Sequence, residues 1–161
     1  MNLKEKILGD FKNAFKEKKE TEVSVFKILQ AEIRNTEIAK RTKLAKAGDS
    51  NAEAASVLTD EEIMQVVSRE IKKRRDSAEM YKKGNRPELA EKEEKEIDVL
   101  LLYLPEQLSE SEIKNLAQKA IEQSGAKTVQ EISKVMGILS PQTKGKADGA
   151  LVNKIVRELL N

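Results

Sequence analysis

Histidine and cysteine are both missing from the 161 residues of this chain. Without histidine it lacks the commonest general base and the commonest metal ligand. Without cysteine there is no thiolate nucleophile, no zinc–cysteine site and no disulfide. Tryptophan is absent too. Phe11, Phe15, Phe26, Tyr81 and Tyr103 make up the aromatic set, which forms no evident platform for stacking single-stranded bases. No apolar stretch approaches the roughly 20 residues of a membrane span. The start, Met1-Asn2-Leu3-Lys4-Glu5-Lys6, has no apolar h-region and carries acid early, which argues against a signal or transit peptide. A disulfide-free chain suits any compartment, so a cytoplasmic protein without a membrane is the default expectation.

What is present is charge on amphipathic segments. Hydrophobic residues make up 39% and charged residues 36%, enough for a modest core inside a heavily charged coat. The length suits one compact domain or two small ones. A net charge of +2 does not by itself argue for a polyanionic partner. Its distribution is uneven: residues 72–86 carry seven cations against Asp76 and Glu79, and residues 87–112 lean acidic. Solvated helices commonly produce such alternation.

No segment alternates as a strand would, and nearly all show helical periodicity. Leu3, Ile7, Leu8, Phe11, Ala14 and Phe15 share one face of a first helix. After a break at Lys18-Lys19-Glu20-Thr21, a longer helix carries Val25, Phe26, Ile28, Leu29 and Ile33. Gly48-Asp49-Ser50-Asn51 reads as a surface loop. Thr59-Asp60-Glu61-Glu62 is a capping box for a third helix with Ile63, Val66, Val67, Ile71, Ala78 and Tyr81 on its stripe. Gly84-Asn85 ends it, and Pro87 opens a fourth, polar through Glu96 and apolar at Ile97, Leu100, Leu101 and Leu104 until Pro105 closes it. Shorter elements follow. Ser109 and Thr128 each head a box, Gly125 is a stop, and Lys134-Val135-Met136-Gly137 is expected to end a helix. Asp148 is placed to cap the last helix, with Leu151, Val152, Ile155, Val156, Leu159 and Leu160 on one stripe. The expected fold is all-α: a domain of long helices over residues 1–104, then a small three-helix bundle over residues 105–161.

Several of these pieces, in this order, resemble the GatB/YqeY family. They are Leu58-Thr59-Asp60-Glu61-Glu62-Ile63, Ile71-Lys72-Lys73-Arg74-Arg75-Asp76-Ser77, Arg86 through Ile97, Tyr103-Leu104-Pro105, Lys134-Val135-Met136-Gly137 and Lys144-Gly145-Lys146-Ala147-Asp148-Gly149. The tail is shared by YqeY-like proteins and by the B subunit of amidotransferases acting on misacylated Glu-tRNA or Asp-tRNA. The resemblance implies an all-α fold in two parts and a role connected with tRNA, which the amidotransferase tail is understood to help hold. Carbon–nitrogen ligase activity with glutamine as amide donor would belong to that complex, since nothing here resembles its catalytic domains. Two departures stand out. Ser133 replaces a usual glycine, and Lys146 replaces a usual arginine, keeping charge but losing bidentate phosphate geometry. Residues 43–57 look like a variable insertion without a motif.

The first candidate site is Lys144-Gly145-Lys146, where two lysines flank a glycine ahead of a helix and can bring ammonium groups and amides to a phosphate. The alternative is a turn that caps the next helix. The second is a stripe of Lys72, Arg75, Lys82 and Arg86, interrupted by Glu79, which otherwise reads as a solvated, salt-bridged face. Lys134 completes the nucleic-acid set. No catalytic residue, cofactor or metal site is expected, because the serines lack a histidine and the acidic run Glu91–Glu96 is interleaved with lysine. The expected partner is tRNA; the alternative is docking on an amidotransferase or an aminoacyl-tRNA synthetase without RNA contact.

Overall fold

The computed structural model describes all 161 residues. Its elements are all helical, and they group into two compact units, Met1–Tyr103 and Leu104–Asn161.

The first unit contains α1 (Leu3–Lys16), α2 (Glu20–Lys46), the single-turn α3 (Ala52–Ala55), α4 (Asp60–Lys83) and α5 (Pro87–Leu101). Asn2 starts α1 with a capping box. Its side chain accepts from the Glu5 amide at 2.8 Å, and the Glu5 carboxylate accepts from the Asn2 amide at 3.1 Å. Thr59 and Glu62 repeat the arrangement at α4, each box satisfying two otherwise orphaned amides. The first break falls earlier than the sequence suggests: Glu17–Lys19 turn the chain, with Lys18 at φ +56°, and α2 begins at Glu20. Gly48–Asn51 is a loop as expected, and the single turn α3 that follows it, unforeseen in the sequence, buries Ala52.

Ile7, Val25, Phe26, Leu29, Ile33, Ile63, Val66, Val67, Ile71 and Leu100 form the apolar interior of this unit. Helix α5 stops at Leu101, ahead of Pro105, and the following turn sends Tyr103 inward. There its ring meets Phe26 edge-on at 5.9 Å, and its hydroxyl donates to the Asp10 carboxylate at 2.5 Å. Burial, reinforced by that carboxylate, pushes the Tyr103 phenol well above its ordinary pKa.

The connection from α4 to α5 is only Gly84–Arg86, so the two helices fold back as a hairpin. A charged cluster lies between them. The Arg74 guanidinium donates to Glu70 Oε2 at 2.7 Å and to Glu96 Oε2 at 3.0 Å, with all three residues under a tenth exposed. Glu70 and Arg74 stand one turn apart on the face that also carries Ile63, Val67, Ile71 and Ala78, so the core itself buries them.

The second unit is a bundle of α6 (Glu110–Ser124), α7 (Ile132–Thr143) and α8 (Gly149–Leu160), each packed on the other two. Its interior is apolar: Ile113, Ala117, Ala120, Val135, Leu139, Val152, Ile155 and Val156. Ser109 and Glu112 form the capping box of α6, and Gly125, at φ +67°, ends it by donating to the Ile121 carbonyl at 3.0 Å.

Two expectations need correction here. Thr128 caps nothing with its side chain; a 3₁₀ turn over Val129–Glu131 intervenes, and the Glu131 carboxylate takes the Lys127 amide at 2.9 Å instead. Nor does a helix end at Gly137, because α7 runs on to Thr143 with Pro141 inside it. The ring of a proline crowds the carbonyl four residues earlier and offers that carbonyl no donor. For Pro141 that carbonyl belongs to Gly137, and both residues lie on the exposed side of α7, where water can serve it.

Candidate nucleic-acid interface

The loop after α7 is tightly specified by its backbone. The Lys144 amide donates to Ser140 O at 3.0 Å, and the Lys146 and Ala147 amides both converge on Thr143 O, at 2.9 and 3.0 Å. Gly145 stands between them at φ +74°. A side chain would cost about 1–2 kcal/mol there. The segment before α6 holds the loop from the other side: the Leu108 amide donates to Lys146 O at 2.8 Å, and Gln107 Nε2 donates to Gly145 O at 2.9 Å. Both lysines stay exposed while the backbone between them is anchored.

Asp148 then caps α8, its carboxylate accepting from the Ala150 amide at 2.8 Å. This refines the expected anion chemistry. The protein's own carboxylate already sits at the start of α8, so attraction for a phosphate falls to the Lys144 and Lys146 ammonium groups rather than to the helix amides.

The other expected residues are not gathered at this loop. Lys134 lies near the opposite end of α7, about 15 Å along the axis at 1.5 Å per residue. It is engaged there by Glu131 at 2.9 Å. The Glu131 carboxyl is pulled down to about 2, first by the hydrogen bond from the Lys127 amide and then by Lys134. Lys72, Arg75, Lys82 and Arg86 belong to the first unit. Lys72 and Arg86 are exposed and Arg75 is half-buried. Lys82 pairs with Glu94 of α5, while Lys83 and Glu79 pair along α4 at 2.8 Å. Of the four-residue basic run, Arg74 is lost to the buried cluster and Lys73 is tied to Glu70 at 2.7 Å. Ser133 is exposed at the start of α7, so no close helix packing depends on a glycine at that position.

Sequence reasoning missed the Glu70–Arg74–Glu96 cluster, although its signal was present: two opposite charges four residues apart on an apolar stripe. Glu70 illustrates the balance inside it. Burial alone would raise its pKa, but hydrogen bonds and charge from Lys73 and Arg74 outweigh that and hold it below the ordinary range. Glu93, beside the cluster, is raised by burial and by Glu96. No group of three or more acidic side chains is placed to hold a metal ion, and no helix is long and apolar enough to cross a membrane.

A family model described as Yqey-like protein matches residues 4–160. Among curated proteins, the chain is 29% identical over 160 residues to "Altered inheritance of mitochondria protein 41, mitochondrial" of Pyrenophora tritici-repentis, covering 96% of this chain and 79% of that protein. It is also 40% identical over 60 residues to an uncharacterised protein of Schizosaccharomyces pombe, covering 37% of this chain and 49% of the other.

Proposed function

Since this chain belongs to the YqeY-like protein family, we propose that it is a non-catalytic helical accessory protein of tRNA metabolism whose second unit holds tRNA by its phosphates. The observation that carries this reading is the α7–α8 loop, with two exposed lysines on either side of a left-handed glycine and a backbone pinned by Gln107 and Leu108. Lysines on a fixed backbone supply charge without base readout, so binding would follow phosphate position and RNA shape rather than sequence. The residues supply no chemistry of their own in this reading: histidine and cysteine are absent, and the strongly buried ionisable side chains are engaged with one another. Its compartment is the cytoplasm; recovery of the native protein in an organellar fraction would overturn that part.

Equilibrium binding of the purified protein to bulk tRNA across a salt series tests the reading. Affinity should fall as salt rises, and the Lys144→Ala/Lys146→Ala variant should bind more weakly, with a log–log slope smaller by about 2, at unchanged helicity. No binding at low salt, or a variant indistinguishable from the parent, would sink it.

A second reading is favoured by a different observation. Phe15, Met80 and Leu102 of the first unit are apolar and 64%, 73% and 72% exposed, on three separate segments of it. They suit docking on an amidotransferase or an aminoacyl-tRNA synthetase. Association with such a partner that ignores salt but is lost on Phe15→Ser would favour it over direct RNA contact.

A further inference from the structure

The apolar residues of α1 do not all face the core of the first unit. Ile7 and Ala14 do, but Leu8, Phe11 and Phe15, three and then four residues apart, line up as a second stripe beside them. Leu8 and Phe15 are 43% and 64% exposed, and the Phe11 and Phe15 rings sit 6.2 Å apart between centroids, their planes tilted by 47°. Cations border the stripe. Lys12 and Lys16 share an open depression with the two phenylalanines, and Leu8 shares a groove with Arg34 of α2. Lys27 precedes Arg34 by two helical turns on the same side of α2. All four cations are exposed, and none is drawn into an ion pair, whereas Lys4 is held by Glu37 at 2.6 Å and Lys19 by Glu17 at 2.8 Å. The carboxylates of the groove do not neutralise them, since Glu37 takes Lys4 and Glu5 closes the α1 cap.

We propose that this face of the α1–α2 pair rests on a membrane surface carrying anionic lipid, with Leu8 and Phe15 entering the headgroup boundary and Lys12, Lys16, Lys27 and Arg34 meeting the lipid charges. The contact is peripheral, because no helix is long and apolar enough to cross a membrane. Exposed aromatic and aliphatic side chains flanked by lysine are the composition that settles at such a boundary. The boundary has no fixed shape to match, so the apolar side chains need no pocket, and lysine stems reach past them toward the headgroups. Each unpaired cation adds attraction to an anionic leaflet. A protein partner fits less well, since lysine is depleted at protein interfaces and here alternates with phenylalanine as Phe11-Lys12 and Phe15-Lys16. Single-stranded RNA fits less well too, because rings tilted by 47° do not offer parallel faces to successive bases. This site is independent of the tRNA reading, which rests on the other unit, and it gives Phe15 lipid rather than protein as its cover.

The test mixes the full-length protein with vesicles of phosphatidylcholine, either alone or with about 30% phosphatidylserine, and reads binding by flotation. Phe15→Trp gives the chain its only tryptophan, and the indole emission reports insertion. Anionic vesicles should bind about tenfold or more tightly than neutral ones, binding should weaken as salt rises, and the emission should shift to the blue. Lys12→Gln/Lys16→Gln should weaken binding about thirtyfold and Phe15→Ser about tenfold, both at unchanged helicity and melting temperature. Lys144→Ala/Lys146→Ala should bind vesicles as the parent does, which keeps this outcome separate from the tRNA test. Equal binding to both vesicles, binding to neither, or an equal loss in the Lys144→Ala/Lys146→Ala variant would overturn the proposal. Adsorption that survives Phe15→Ser without a blue shift would reduce the contact to charge alone and overturn it as well. An oligouridylate that quenches the indole while vesicles leave its emission unchanged would assign the face to RNA instead.

Discussion

In Met1–Tyr103, the α4–α5 interface buries an arginine and two glutamates, whereas the bundle of Leu104–Asn161 buries no charged side chain, and its only buried polar residue is Thr143. Both units pack amphipathic helices, so the difference lies in what sets register. Apolar ridges tolerate sliding and repacking with modest loss. A guanidinium between two carboxylates tolerates neither, since each hydrogen bond must be made or a buried charge is left alone. Local devices set helix ends in both units: the Asn2 and Thr59 boxes in the first, and the Ser109 box, the left-handed Gly125 and the Asp148 cap in the bundle. What separates the units is the buried charged cluster, which only the first carries.

The largest effect should come from breaking the buried cluster. Arg74→Met leaves Glu70 and Glu96 buried without their shared counter-charge and should lower stability by about 3–5 kcal/mol in urea unfolding followed by helical circular dichroism. Replacing all three, as Glu70→Leu/Arg74→Met/Glu96→Leu, should recover most of that loss, because desolvation then costs nothing. A single variant with no measurable loss would erase the contrast between the units. Next in size is the cap of the bundle. Ser109→Ala should cost about 1 kcal/mol, confined to residues 104–161 when amide exchange is read unit by unit.

Gly137→Ala should act in the opposite direction. Gly137 lies inside α7, and a methyl group there would meet nothing within 4 Å. Helix propensity then favours alanine by up to about 1 kcal/mol, read as a higher melting temperature. A loss would show that the Pro141 turn needs the glycine. The smallest effect concerns acid. Folding depresses the pKa of Glu131 from its ordinary 4.5 to about 2, so its stabilising contribution is present above 4.5 and disappears as pH falls through that window. Glu131→Gln should flatten the acid limb of the bundle's stability between those values. Glu70 has the same sign in the first unit, with its contribution lost as pH falls below the ordinary carboxylate range.

The loop at Lys144–Lys146 was legible because glycine between lysines before an Asp cap is a local pattern. What the spacing did not show is that Asp148 occupies the α8 amide, or that Gln107 and Leu108 pin the loop from 38 residues away. Thr128 misled for a related reason. Its spacing fits a capping box, but the Glu131 carboxylate reaches the backbone first through a 3₁₀ turn. Gly137 misled because glycine ends helices only when the chain turns there, and packing of Val135 and Leu139 on α6 and α8 carries α7 past it.

By itself the sequence determined the all-helical class, the α4, α6 and α8 caps and most of the apolar stripes, since these depend on residues within one or two turns. The tertiary structure alone decided that Arg74 is interior rather than surface, that Tyr103 meets Asp10 across 93 residues, and that the Gln30 Nε2 amide is buried without a partner in the protein. Each of these depends on which helix lies opposite, and period and propensity carry no information about the opposite face.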